Sequence, residues 1–190
     1  MLRPYLLMKI ALFGGSFNPP QNGHVAVAKA LLDSQQFDEV WVLPSFQHPF
    51  GKALALFKDR VTLCRLAFGD LSPSLRISEA EKEMDNKKGY SIDTVRFLKK
   101  KYADHQFSLV MGSDLLLESS KWKDFEELKK LIEIYPISRA GYEETKFPHV
   151  SSSQVRNALA KGEDISFLVP ASVLKYIEEK GLYKSPLSPL

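Results

Sequence analysis

The segment Gly14-Gly-Ser-Phe-Asn-Pro-Pro-Gln-Asn-Gly-His24 constrains this chain more than any other stretch. It follows a strand-like apolar run, Lys9 to Phe13, and precedes a helix-like one, Val25 to Leu32. Paired glycines at a strand's end let the backbone turn through conformations barred to other residues and let a ligand approach the main chain. A helix beginning near Gly23 offers unpaired N–H groups and the positive end of its dipole to an anion. His24, in its first turn, adds an imidazole whose charged form suits a polyphosphate. Taken singly, each signal has a plainer reading: a Gly-Gly pair is a turn in most proteins, and a lone histidine near a helix start is usually structural or solvated.

Strand-like and helix-like segments alternate through the rest of the chain. Strands are expected at Lys9 to Phe13, Glu39 to Pro44, Leu75 to Ser78, Phe107 to Met111 and Ile132 to Ser138. Helices are expected at Gly23 to Ser34, Phe57 to Phe68, Ser91 to Tyr102 and Asp124 to Lys130, then Ser151 to Lys161 and Pro170 to Glu179. This order predicts an α/β fold, a doubly wound, mostly parallel sheet with C-terminal helices. Ligands of such sheets bind beyond the carboxyl ends of the strands, which gathers the Gly14, Pro44 and Gly112 loops on one rim. The organisation expected is a single domain over 8–184, with an N-terminal extension of no assigned function at 1–7 and a C-terminal tail at 185–190.

Composition narrows the partners. With 190 residues and 44% hydrophobic content, the chain can bury a core without disulfides. Its single cysteine, Cys64, lies in an apolar-periodic segment and reads as buried filler, which points to a reducing, cytoplasmic location. The apolar runs are too short to span a bilayer, and Met1 to Leu7 is too short and too weakly basic for a secretory signal. A net charge of +3 is too mild for a nucleic-acid binder. The densest basic run, Lys99 to Lys101, closes a helix-like segment, where cations complement the dipole.

A second motif is Val150-Ser-Ser-Ser-Gln-Val-Arg156. Ser151 and Ser152 at a helix start either cap free N–H groups or leave them for a phosphate, and Arg156 a turn further on adds a fixed cation. The two motifs, about 130 residues apart, resemble those of the nucleotidylyltransferases, Gly-Gly-(Ser/Thr)-Phe-(Asp/Asn)-Pro-x-(His/Thr)-x-Gly-His and Ile-Ser-Ser-Thr-x-x-Arg. One position departs: Gln21 stands where that family has its first His or Thr. Its amide can donate to a phosphate oxygen but carries no charge.

The middle of the chain narrows the resemblance. Gly112-Ser-Asp114, Lys121-Trp122, Ile137-Ser-Arg-Ala-Gly-Tyr142 and Tyr90-Ser-Ile-Asp-Thr94 resemble stretches of the bacterial nicotinate mononucleotide adenylyltransferases, as does the closing Gly181-Leu-Tyr183. The departures are mild, Ser91 for Thr and Ala140 for Pro. The resemblance implies a Rossmann-like sheet and adenylyl transfer from ATP to nicotinate mononucleotide. His24, Arg156 and Gln21 are then the catalytic group. Gly14, Gly15, Ser16, Phe17, Asn18, Lys52, Gly112, Asp114, Ser151 and Ser152 bind ATP, and Ser91, Trp122 and Arg139 bind the mononucleotide. It implies magnesium held mainly by the ATP phosphates, with no protein metal site.

On their own chemistry several of these residues stay ambiguous. Asp114 accepts from ribose hydroxyls or is simply solvated, Trp122 offers a flat face to a pyridine ring or belongs to the core, and Arg139 and Lys52 meet phosphate or are ordinary surface cations. A homo-oligomer is left open. Two rivals remain: another transferase of the same fold, such as a phosphopantetheine adenylyltransferase, against which Trp122 and Arg139 to Tyr142 argue, and a nucleotide-binding protein impaired in catalysis, which Gln21 keeps alive.

Overall fold

The computed structural model describes residues 7–117, 121–137 and 150–184, with the side chains of 114 and 115 also outside the description. The expected alternation is present. The strands are β1 (Lys9–Gly15), β2 (Glu39–Pro44), β3 (Leu75–Ile77), β4 (Gln106–Gly112) and β5 (Glu133–Ile137). The helices are α1 (Asn22–Asp33), α2 (Phe57–Phe68), α3 (Ala80–Glu83), α4 (Ser91–Lys101), α5 (Ser113–Leu117), α6 (Phe125–Leu131), α7 (Ser152–Ala160) and α8 (Ala171–Lys180). The short helices α3 and α5 were not expected. Neither is long enough for hydrophobic periodicity to register, and α5 opens directly off the end of β4.

The five strands form one parallel sheet in the order β3-β2-β1-β4-β5. Alternate residues of each central strand feed two apolar layers. Ala11, Phe13, Val40, Val42 and Val110 face the layer closed by α1, α2, α7 and α8. Ile10, Leu12, Trp41, Leu43, Leu109 and Met111 face the layer closed by α4 and α6. Pro136 is tolerated in β5 because that strand pairs only with β4 and forms an edge. The order reverses direction between β1 and β4, so the crevice of the fold opens beyond Gly15 and Gly112.

The C-terminal helices pack on the sheet layer that α1 and α2 already cover. Val155, Val173 and Ile177 are each at most 1% exposed, and Tyr176 Oη donates to Asp59 Oδ1 on α2 at 3.0 Å. Ile177→Ala is therefore expected to cost about 2–5 kcal/mol, the range for emptying a fully buried aliphatic site, as read by urea unfolding.

Candidate active site

The chain leaving β1 is fixed by groups distant in sequence. The Ser16 carbonyl accepts Arg60 Nη1 at 2.8 Å, the Asn18 carbonyl accepts Arg156 Nη1 at 2.7 Å, and the Pro19 carbonyl accepts the Ser152 hydroxyl at 2.8 Å. Gln21 Nε2 donates to the Val150 carbonyl at 2.7 Å. The two sequence motifs thus meet as a docked pair, with the start of α7 laid against the 18–21 segment.

This packing corrects several expectations about the loop. Gly14 and Gly15 lie in β1 without positive φ; the left-handed residue is Phe17, at φ 44°. A side chain on Gly15 would meet the Phe17 ring at 3.1 Å, whereas one on Gly14 would meet nothing within 4 Å. Phe17 is 1% exposed and stacks edge-on with His24 and Phe68. Asn18, 2% exposed, accepts the Ala55 N–H at 3.0 Å and donates to the Ala53 carbonyl at 3.3 Å. The Phe17 and Asn18 side chains therefore shape the loop from inside rather than facing a nucleotide.

Gln21 differs most from its expected role. It is 5% exposed and is the N-cap of α1, its Oε1 accepting the N–H groups of Gly23 and His24. The Asn22 N–H is taken by the Leu168 carbonyl at 2.9 Å and that of Val25 by the Gln21 carbonyl at 3.2 Å. The first turn of α1, expected to be open to phosphate, is thus satisfied within the protein, and the Gln21 amide that was to meet a phosphate oxygen holds Val150 instead. Sequence could not reveal this, because Val150 lies 129 residues away.

His24 completes the capping box: its Nδ1 accepts the Gln21 N–H at 3.2 Å. With Nδ1 accepting, the ring N–H of His24 lies at Nε2. At α7, Ser151 caps Gln154 reciprocally, while the N–H groups of Ser152 and Ser153 have no partner among the described residues. Of the two motif helices, α7 rather than α1 therefore keeps N–H groups open at its start.

Gly14, Gly15, Ser16, Lys52, Ser91 and Trp122 line one cleft of about 510 Å³, with Leu109, Val110 and Met111 of β4. Its volume falls in the range of small-molecule sites. Trp122 packs edge-on to Phe125, and Lys123 Nζ lies 4.8 Å from the centre of the Tyr90 ring. The cleft carries the cations Lys52, Lys121 and Lys123 against one carboxyl, Glu81, a balance that suits an anionic ligand. Gly112 ends β4 beside this wall and Asp114 falls in α5 rather than at a strand's end; Arg139 lies outside the described residues.

Three polar residues of the site carry no sequence signature. His48 lines the cleft, and its Nδ1 accepts the Phe50 N–H at 3.1 Å, leaving Nε2–H as donor. Burial, then the charge of Lys52, holds His48 below its ordinary value. Arg60 is 1% exposed and donates to three carbonyls, those of Ser16, Phe46 and Ala55. Glu81, 7% exposed, is pushed up to about 7 by burial, an effect that the Phe46 N–H, the Thr94 hydroxyl and Arg60 only partly offset. A single Glu in the mixed-charge run 79–88 looks solvated in sequence.

Two outcomes follow from these contacts. Gln21→Ala removes both the α1 cap and the Val150 contact and is expected to lower unfolding free energy by about 1–3 kcal/mol in a denaturant titration. Because the folded chain holds the Glu81 proton more tightly than the unfolded chain, stability falls as pH rises from about 4.5 through about 7. Between pH 5 and pH 8 the wild type should lose up to about 3 kcal/mol that Glu81→Gln does not lose, measured by urea unfolding at both pH values.

The site and fold have recognisable relatives. Residues 12–158 match the cytidylyltransferase-like family model. The chain is 42% identical over 182 residues to the probable nicotinate-nucleotide adenylyltransferase of Anaeromyxobacter sp. (strain K), covering 93% of this chain and 97% of that one. It is 34% identical over 192 residues to the nicotinate-nucleotide adenylyltransferase of Bacillus subtilis (strain 168), covering 94% and 100%. In structure it is similar to Plasmodium falciparum nicotinic acid mononucleotide adenylyltransferase complexed with NaAD, with a TM-score of 0.76 at 20% identity over 95% of this chain and 99% of that one. With its parallel sheet, its two docked motifs and these relatives, the chain belongs to the cytidylyltransferase-like family and, within it, to the nicotinate-nucleotide adenylyltransferases.

Proposed function

We infer that the protein transfers the adenylyl group of ATP to nicotinate mononucleotide, giving nicotinate adenine dinucleotide and pyrophosphate. The observation that carries this reading is the cleft itself, in which the Gly14–Ser16 strand end, Lys52, Ser91 and Trp122 share one cavity beyond β1 and β4. A phosphate oxygen of the mononucleotide attacks the α-phosphorus of ATP; the new P–O bond forms as the bond to the β-phosphate oxygen breaks, and pyrophosphate leaves with that electron pair. No protein nucleophile is required, so acceleration comes from positioning and from stabilising charge on the phosphates.

In this reading Gly14, lacking a side chain toward open space, leaves room for the triphosphate against the strand end. His24 Nε2–H, the free N–H groups of Ser152 and Ser153, and Lys52 are the donors to its oxygens. Arg156 acts partly through the Asn18 carbonyl it already holds. Ser91 and the neighbouring backbone receive the nicotinate carboxylate, Trp122 stacks on the pyridine ring, and Asp114 and Arg139 serve ribose and phosphate. Among the described residues, no group of three or more His, Cys, Asp or Glu is placed to hold a metal. In this reading magnesium is carried by the ATP phosphates and water, and when bound it would neutralise phosphate charge.

Phe17, Asn18 and Gln21 support the loop rather than touch substrate. The decisive experiment is pyrophosphate release by the purified protein with ATP, magnesium and nicotinate mononucleotide, with nicotinamide mononucleotide in parallel. His24→Ala should cut turnover by about 10² to 10³, the scale for losing one transition-state donor. Wild-type turnover in that variant, with chemistry rate-limiting, removes His24 from the mechanism.

A further inference from the structure

Glu81 is the buried ionisable group of the cleft that the transfer reaction leaves without a task. Its Oε2 accepts the Phe46 N–H at 2.8 Å and its Oε1 accepts the Thr94 hydroxyl at 3.3 Å. The carbonyl of the same Phe46 accepts Arg60 Nη2 at 3.4 Å, and Arg60 Nη1 reaches the Ser16 carbonyl on the strand-end loop. On the other side, Thr94 Oγ1 accepts Asn86 Nδ2 at 3.0 Å, and Asn86 Oδ1 accepts the Gly89 N–H at 3.0 Å. Gly89 has φ +63°, and a Cβ there would lie 2.5 Å from the Gln47 carbonyl oxygen, so the rim loop rests directly on the turn that leads into α4.

We propose that Glu81 is a positioning residue for the mononucleotide end of the cleft: its carboxylate joins the Ser45–Lys52 rim to the first turns of α4 and thereby sets where Ser91 stands relative to the Gly14–Ser16 floor. The proposal rests on the substrate reading above. An ionised carboxylate is suited to the joint because both oxygens accept, one from each side. An apolar residue would orphan the Phe46 N–H, and a protonated carboxyl gives up one acceptor. The cost of burying the charge, which raises the group to about 7, places that loss within the physiological range.

Other charges face the joint. Arg60 of α2 lies across the Phe46 peptide, His48 and Lys52 stand on the rim, Tyr90 precedes α4, and Lys121 and Lys123 line the same cleft. Lys82 and Glu83, its neighbours on α3, line a separate groove. Of these, His48 is held below its ordinary value by burial and then by the charge of Lys52, and it is present in wild type and in both Glu81 variants.

The test is steady-state pyrophosphate release at pH 6 and pH 8, varying ATP and nicotinate mononucleotide separately, for wild type, Glu81→Ala and Glu81→Gln. Glu81→Ala should raise KM for the mononucleotide about tenfold or more, while kcat and the KM for ATP stay within about threefold. In wild type this KM should fall from pH 6 to pH 8 beyond any change the substrate itself causes. Glu81→Gln, which still accepts the Phe46 N–H, should show only the substrate's change. An unchanged KM in Glu81→Ala, a loss spread evenly over kcat and both KM values, or parallel pH profiles for wild type and Glu81→Gln overturns the proposal.

Should Glu81→Ala fail to fold, the Glu81→Gln profile decides. Hydrogen exchange at the Phe46 amide, in the ligand-free protein, separates the two readings. Wild type that turns over no nicotinate mononucleotide sinks the substrate assignment. Protection of Phe46 that is at least about tenfold lower in Glu81→Ala and kept in Glu81→Gln still supports the joint, and unchanged protection in Glu81→Ala overturns it.

Discussion

The cleft depends on how the segment from Ser16 to Gln21 is held. A chain leaving a strand loses its ladder partners, and every carbonyl it turns inward must find a donor elsewhere. Here the donors come from three distant places: Arg60 on α2 takes Ser16, Arg156 on α7 takes Asn18, and the Ser152 hydroxyl takes Pro19. Gln21 closes the arrangement by donating to Val150 while capping α1. These bonds fix a loop with little regular structure, so Gly14, Gly15 and Ser16 form a stationary wall of the cavity rather than a flexible flap.

The same donors distribute charge. Arg60 is almost fully buried and works through backbone carbonyls, with Glu81 reached across the Phe46 peptide. Such groups are costly to desolvate, and losing one partner leaves the other uncompensated. The cations that line the cleft, Lys52, Lys121 and Lys123, are exposed to solvent. Buried charge thus shapes the walls of the cleft, while the exposed cations give its surface a positive balance.

Much of the fold was legible in the sequence because it depends on local pattern. The strands at Glu39–Pro44 and the helix at Phe57–Phe68 fall where apolar alternation and spacing put them, and the other long elements differ by a residue or two at their ends. The short helices α3 and α5 were invisible, being too brief for a period. At the site, the strand-end glycines, Lys52, Ser91 and Trp122 were identified and do line one cavity. Glu81, Arg60 and the inward roles of Phe17, Asn18 and Gln21 were not, since each is defined by partners dozens of residues away or more.

By itself the sequence determined the alternation of strands and helices, and it marked the two Gly/Ser-rich motifs that the fold docks against each other. Hydrophobic period and glycine placement are local properties, so they can be read along the chain. Only the tertiary structure decided which helix start stays open, that of α7 rather than α1, because the free N–H groups of α1 are consumed by Gln21 and Leu168. It also decided which carboxyl is held near neutrality. Burial and hydrogen-bond partnership are set by what packs against a residue in space, and no spacing in the sequence encodes that for Glu81.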